Sequence, residues 1–177
     1  MADRLPLKIL STKFIPGLTP AAGECLAEAA AICLESQGHL CEVILVTSGS
    51  FSVERLICYE PVTDHMKRSH ADEDEATERG ACGVSILLID AATDLQVVEQ
   101  SRRGTRFDYW LGEKKNKGPY FQHKARLEVS GLRRATPAAV TSRVRAKIKQ
   151  IKKSPVNLPG YVSVVEFGLP QARLMKI

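Results

Sequence analysis

The sequence contains no apolar run near the roughly 18 residues that a membrane span needs. It has no GxGxxG or Walker-type loop, so dinucleotide binding and nucleotide hydrolysis lack their usual phosphate cradles. It has no CxxC pair, and its five cysteines (Cys25, Cys33, Cys41, Cys58, Cys82) are odd in number and sit in apolar stretches. A disulfide framework and a zinc knuckle are therefore disfavoured, and buried free thiols are expected. The four histidines (His39, His65, His70, His123) show no metal-ligand spacing within one element. The start, Met-Ala-Asp-Arg-Leu-Pro, lacks the apolar centre of a signal peptide, which gives the expectation of a cytoplasmic protein with no membrane partner. With 44% hydrophobic and 25% charged residues the chain is neither disordered nor fibrous, and its 177 residues suit a single domain.

Carboxylates are nearly missing from the second part of the chain. Residues 101–177 carry 18 Lys/Arg against 4 Asp/Glu, whereas residues 1–100 carry 7 against 16. Such a split points to an anionic partner, because neutralising phosphates releases counterions and supplies affinity independent of sequence. Nucleic acid is the first candidate. The alternative is that the acidic half packs on the basic half and the excess charge is merely solvated.

Leu5–Leu10 has the composition of a short strand. Thr19-Pro20 has the form of a helix cap followed by the first helical residue, and Ala22, Leu26, Ala29 and Cys33 recur at helical spacing towards Gly38. Leu40–Ser48 and Phe51–Glu60 flank Gly49-Ser50 as a hairpin would. A second helix is expected near 72–89, its carboxylates at Asp72–Glu75 and Glu78 complementing the helix dipole and its small residues Gly80, Ala81 and Gly83 implying close approach to another element. Strands are expected at Leu95–Ser101, Thr105–Leu111 and Phe121–Gly131, with a turn at Arg102-Arg103-Gly104. Thr136-Pro137 repeats the cap-and-proline start of a helix whose stripe is Val140, Val144, Ile148 and Ile151, and Tyr161–Phe167 reads as a buried strand. The expectation is an α/β (α+β) fold, a mixed β-sheet flanked by helices, with residues 1–70 as a helix and hairpin extension and 71–177 as the core.

Strand side chains alternate between faces, so parity decides which groups meet. Arg106, Asp108 and Trp110 share one face of their strand, and Phe107, Tyr109 and Leu111 the other. In the next strand Ala125, Leu127 and Val129 are apolar, while Gln122, Lys124, Arg126, Glu128 and Ser130 form a polar face. If these strands pair, Asp108 and Glu128 lie side by side. Adjacent carboxylates raise each other's pKa unless a cation sits between them, which makes this pair a candidate site for a hard cation such as Mg²⁺ or Mn²⁺.

Helix, three strands, helix, strand, with Asp in Gly-Thr-Arg-Phe-Asp-Tyr-Trp-Leu-Gly (104–112) and Glu in Ala-Arg-Leu-Glu-Val-Ser-Gly (125–131), resembles the core of the PD-(D/E)XK superfamily, the restriction-endonuclease-like nucleases. The resemblance covers about residues 72–167. It implies an αβββαβ core, Mg²⁺ held by Asp108 and Glu128, and an accessory metal ligand at Glu78, with Glu75 as a substitute one turn earlier. The family's third motif is Glu-X-Lys, and here Ser130 stands at the lysine position. By parity Lys124 and Arg126, or Arg106 on the neighbouring strand, are candidates for the displaced cation.

The last helix carries Arg143, Arg145, Lys147, Lys149, Lys152 and Lys153 opposite its apolar stripe, a face able to track phosphates and extended by Arg133 and Arg134. The loop 112–120, with Lys114, Lys115 and Lys117, is a candidate substrate clamp. The function expected is metal-dependent phosphodiester hydrolysis of nucleic acid, with Lys124 or Arg126 assisting Asp108 and Glu128. The rival is a catalytically inactive relative, an immunity or accessory factor that binds nucleic acid or a protein partner.

Overall fold

A computed structural model of the chain describes residues 2–115, 118 and 121–177. Lys117 of the expected loop clamp lies outside the described residues. Eight strands form one mixed sheet: β1 (Asp3–Pro6), β2 (Glu42–Gly49), β3 (Val53–Cys58), β4 (Leu95–Gln100), β5 (Tyr109–Glu113), β6 (Ala125–Leu132), β7 (Gly160–Glu166) and β8 (Gln171–Lys176), in the spatial order β1-β3-β2-β8-β7-β6-β5-β4. The helices are α1 (Ile9–Thr12), α2 (Pro20–Glu35), α3 (Asp64–Ser69), α4 (Glu73–Ala92) and α5 (Pro137–Lys152). No helix among the described residues is long and apolar enough to cross a membrane.

The two cap-and-proline signals start helices as expected. The Thr19 and Thr136 hydroxyls accept from the backbone N–H of Ala22 and Ala139, each at 3.2 Å, and thereby satisfy a donor the helix leaves orphaned. Asp72 caps α4 in the same way through the N–H of Glu75 at 2.9 Å.

The strands expected near 95–101, 105–111, 121–131 and 161–167 are neighbours, with β4, β5 and β6 antiparallel and β7 parallel to β6. Their bounds differ in one consequential place. Residues 105–108 are not strand: the Thr105 hydroxyl lies within hydrogen-bond distance of Ser101 Oγ (2.9 Å) and the Phe107 carbonyl (3.1 Å), curling the chain into a loop before β5 begins at Tyr109. Phe107 consequently leaves the face shared by Tyr109 and Leu111 and packs edge-on against Trp110, 4.7 Å between ring centroids. Leu5–Leu10 also divides, the first part pairing with β3 and the second turning into α1.

Residues 1–70 do not stand apart from the sheet. The hairpin β2–β3 joins it through β8, which pairs parallel with β2 and antiparallel with β7. Helix α2 packs on α4, and Leu26, Leu45 and Ile57 share one core with Leu87, Leu127 and Phe167. That core lies on one face of the sheet. On the other face α5 covers a smaller core of Phe107, Val140, Val144, Ile151, Val162 and Val164.

Gly131 shows how close the first face is packed: a Cβ placed there would lie 2.4 Å from the Thr77 carbonyl oxygen on α4. Only glycine permits that approach. All five thiols are free; Cys33 is buried as expected, but Cys41 is exposed.

Candidate functional site

Strand β5 pairs with β6 only over Tyr109–Leu111, opposite Leu127–Ala125. Asp108 N–H still donates to the Leu127 carbonyl at 2.8 Å, but beyond it the backbone turns away and leaves the next outward N–H groups of β6 without a strand partner. Side chains take over. The Asp108 Oδ2 accepts from Val129 N–H at 2.7 Å, and Glu78 Oε2, from α4, accepts from Gly131 N–H at 3.2 Å. A charged acceptor makes the stronger bond here and fixes the carboxylate in place.

Glu128 comes immediately before the first of these N–H groups in sequence and points towards α5. It is 2% exposed, and its Oε1 accepts from Lys147 Nζ at 2.6 Å and from Gln150 Nε2 at 2.8 Å. Arg143, one turn earlier on α5, donates to the Ser130 hydroxyl at 2.7 Å. Positions 143, 147 and 150 form one helical stripe beside the apolar stripe, so α5 covers β6 with a seam of polar contacts.

The Asp108 and Glu128 carboxyls are near enough to hydrogen-bond each other. Burial raises both, and burial and then the Asp108 charge push Glu128 up to about 7 against the pull of Lys147. For Asp108 the Val129 N–H and then Lys147 act in the opposite direction. Cys82 on α4, affected by the same carboxylates, is pushed up to about 12, chiefly by burial. The pair opens into a cleft of about 360 Å³ lined by residues 100–108, Glu128 and Gln150.

Among the described residues, N–H donors engage Oδ2 of Asp108 and Oε1 of Glu128, which leaves one oxygen of each carboxylate for a cation. Two carboxylates, with waters or phosphate oxygens completing the shell, suit Mg²⁺, which rarely uses an all-protein cage. Glu78 does not complete a three-carboxylate set: its oxygens are turned to Gly131 N–H and the Ser130 hydroxyl. Among the described residues no group of three His, Cys, Asp or Glu is placed to hold one ion.

The expected cations are distributed differently from the sequence reading. Arg126 shares the face of Glu128, but its guanidinium donates to the carbonyls of Ile151 (3.1 Å) and Leu158 (2.6 Å), satisfying the end of α5 rather than assisting chemistry. Lys124 is exposed and makes no ion pair among the described residues. The cation at the pair is Lys147, which the sequence reading placed on an outward phosphate track.

That track is broken. Arg133 lies against the opposite layer, donating to Thr77 Oγ1, Ser36 Oγ and the Glu73 carbonyl, and Arg143 and Lys147 are turned inward, while Arg134, Arg145, Lys149, Lys152 and Lys153 stay exposed. Lys114 is withdrawn from the loop clamp because its ammonium caps the carbonyls of Asp90 and Thr93 at the end of α4, whereas Lys115 is exposed. His123 stacks on Trp110 at 3.9 Å and bonds Glu99 at 2.8 Å, which gives it a packing role. Gln150 escaped the sequence reading entirely. Its only signal was its place seven residues after Arg143 and three after Lys147, which acquires meaning once β6 is known to lie beneath them.

The chain matches no protein-family profile, no curated protein and no solved structure.

Proposed function

We propose that the protein hydrolyses phosphodiester bonds of nucleic acid in a reaction that depends on Mg²⁺ or Mn²⁺. The observation that supports this most is the pairing of half-buried Asp108 with buried Glu128, with Lys147 Nζ 2.6 Å from Glu128, open to a cleft. The order α4, β4, β5, β6, α5, β7 supports the resemblance to the restriction-endonuclease-like core. In this reading Lys147 supplies from α5 the positive charge that Ser130 does not supply from the strand.

A divalent ion at the two carboxylates would stabilise charge on the phosphate and lower the pKa of a water. The protein's own groups do the rest. Val129 N–H orients Asp108, and Gln150 and Lys147 together fix the Glu128 rotamer. Lys147 opposes the upward push on Glu128 and places a positive charge behind the carboxylates, where it would favour negative charge developing on a phosphate.

The test is cleavage of plasmid DNA and of labelled DNA and RNA strands with Mg²⁺ or Mn²⁺, comparing wild type with Asp108→Ala, Glu128→Gln and Lys147→Ala. Each substitution is expected to lower cleavage by about 100-fold or more, on the scale of losing one transition-state contact. Cleavage at the wild-type rate by Asp108→Ala would overturn the assignment. An intact wild type that binds nucleic acid but never cuts it would favour the inactive binding protein.

A further inference from the structure

The segment Ser101–Phe107 was expected to be a hairpin turn and a strand; it is instead a stapled loop. Ser101 N–H donates to the Asp108 carbonyl at 2.8 Å, the Ser101 hydroxyl donates to the Phe107 carbonyl, and the Thr105 hydroxyl reaches both Ser101 Oγ and the Arg102 carbonyl at 2.9 Å. From the other side Gln150, which also holds Glu128, donates to the Arg106 carbonyl at 3.4 Å. The loop is therefore fixed to both carboxylates of the site through their own neighbours.

It carries three arginines, Arg102, Arg103 and Arg106, all exposed. None of them has an ion-pair partner among the described residues, a state they share with the exposed Arg68, Arg134 and Arg145; what sets them apart is that all three line one cleft. Arg106 is also the one non-glycine residue with positive φ (71°) among the described residues. A long side chain kept in that backbone region, beside Asp108, is an outlier that points to use rather than to packing. The same residues line the cleft whose floor is Glu128.

We infer that this loop is the phosphate clamp of the site: Arg102, Arg103 and Arg106 bind the phosphates that flank the one placed at Asp108 and Glu128. The ligand is a phosphodiester polymer, not a lone phosphate, because three separate exposed arginines line the one cleft and a guanidinium takes one phosphate by two parallel hydrogen bonds. The inference rests on the nuclease reading for the central phosphate alone; the clamp itself needs only a polyanionic strand.

The experiment measures anisotropy of a short labelled DNA duplex, its single strand and the matching RNA across a salt series in the presence of EDTA, with cleavage in Mg²⁺ assayed in parallel. Wild type is compared with the triple variant Arg102→Ala, Arg103→Ala, Arg106→Gly, in which glycine keeps the positive φ, and with the three Arg→Lys changes together. The neutral variant should lower the log–log salt slope by about 2.7 and weaken binding at 0.1 M salt by about two to three orders of magnitude. The lysine variant should keep most of the slope. An unchanged slope in a neutral variant that melts like wild type overturns the clamp, as does a wild type that binds none of the three probes. Binding that falls as expected without any cleavage by wild type leaves the clamp in place and removes the nuclease reading.

Discussion

Towards α4, strand β6 presents Ala125, Leu127, Val129 and the bare backbone of Gly131 to a continuous apolar core. Towards α5 the same strand presents Arg126, Glu128 and Ser130 to Ile151, Lys147, Gln150 and Arg143. The first face is held by burial of apolar area, worth about 1.5–3 kcal/mol for a fully buried large side chain such as Leu127. The second buries ionised groups whose lost hydration offsets much of what their pairing returns. One strand thus divides its work between faces: one fixes where α4 sits, and the other holds charges that cost stability and serve the site.

The comparison breaks first, and most severely, on the apolar side. Gly131→Val should cost about 3 kcal/mol or more in urea unfolding, because its Cβ would meet the Thr77 carbonyl at 2.4 Å and backbone must move. Leu127→Ala should cost about 2–5 kcal/mol. A loss under about 1 kcal/mol for Gly131→Val would mean that α4 shifts freely and the face is not rigid.

On the polar side the sign reverses. Asp108→Asn removes one of two repelling carboxylates, while its amide oxygen can still accept from Val129 N–H, so the metal-free protein should gain about 1 kcal/mol at pH 8. The pH dependence sharpens this. Glu128 in the folded protein titrates near 7, above its ordinary value of 4.5, so the native state binds more protons than the unfolded chain between those values. Stability from this group is therefore fully present below about 4.5 and is lost as pH rises through 7. Asp108→Asn should flatten that decline in a series of melting temperatures, and equal slopes in the two proteins would refute the coupling.

Mg²⁺ should act on the same side with a comparable effect. At pH 8 and ten times its Kd it should stabilise wild type by about 1.4 kcal/mol, measured by calorimetry, and leave Asp108→Ala unmoved. The smallest effect is expected outside both faces: Lys149→Ala, on the exposed side of α5, should change stability by less than about 0.5 kcal/mol. A larger loss would show that this lysine has a partner in solution.

The elements were legible wherever a local rule was strong. Thr19-Pro20 and Thr136-Pro137 announce helices, and the parity of 125–131 separates the two faces of β6 correctly. Sequence reading failed where tertiary contacts override composition. Thr105 and Phe107 are good strand residues, yet hydroxyl bonds from Ser101 and Thr105 hold them in a loop. Strand β8 went unread because its six residues follow Gly168-Leu169-Pro170 and alternate over too short a window. Within the site, the proximity of Asp108 and Glu128 followed from pairing and parity. The inward turn of Lys147 did not, since nothing in α5 alone tells which flank of its apolar stripe meets β6.

Strand β8 also orders events in time. During vectorial synthesis the hairpin of residues 42–58 leaves the ribosome early, yet its edge at Val46–Gly49 has no partner until Gln171–Leu174 has emerged. For that interval β2 exposes unpaired backbone beside Ile44 and Val46, both exposed apolar side chains. From the synthesis of Cys58 until that of Leu174 the nascent chain therefore carries a sticky edge, an interval in which a holding chaperone would protect it.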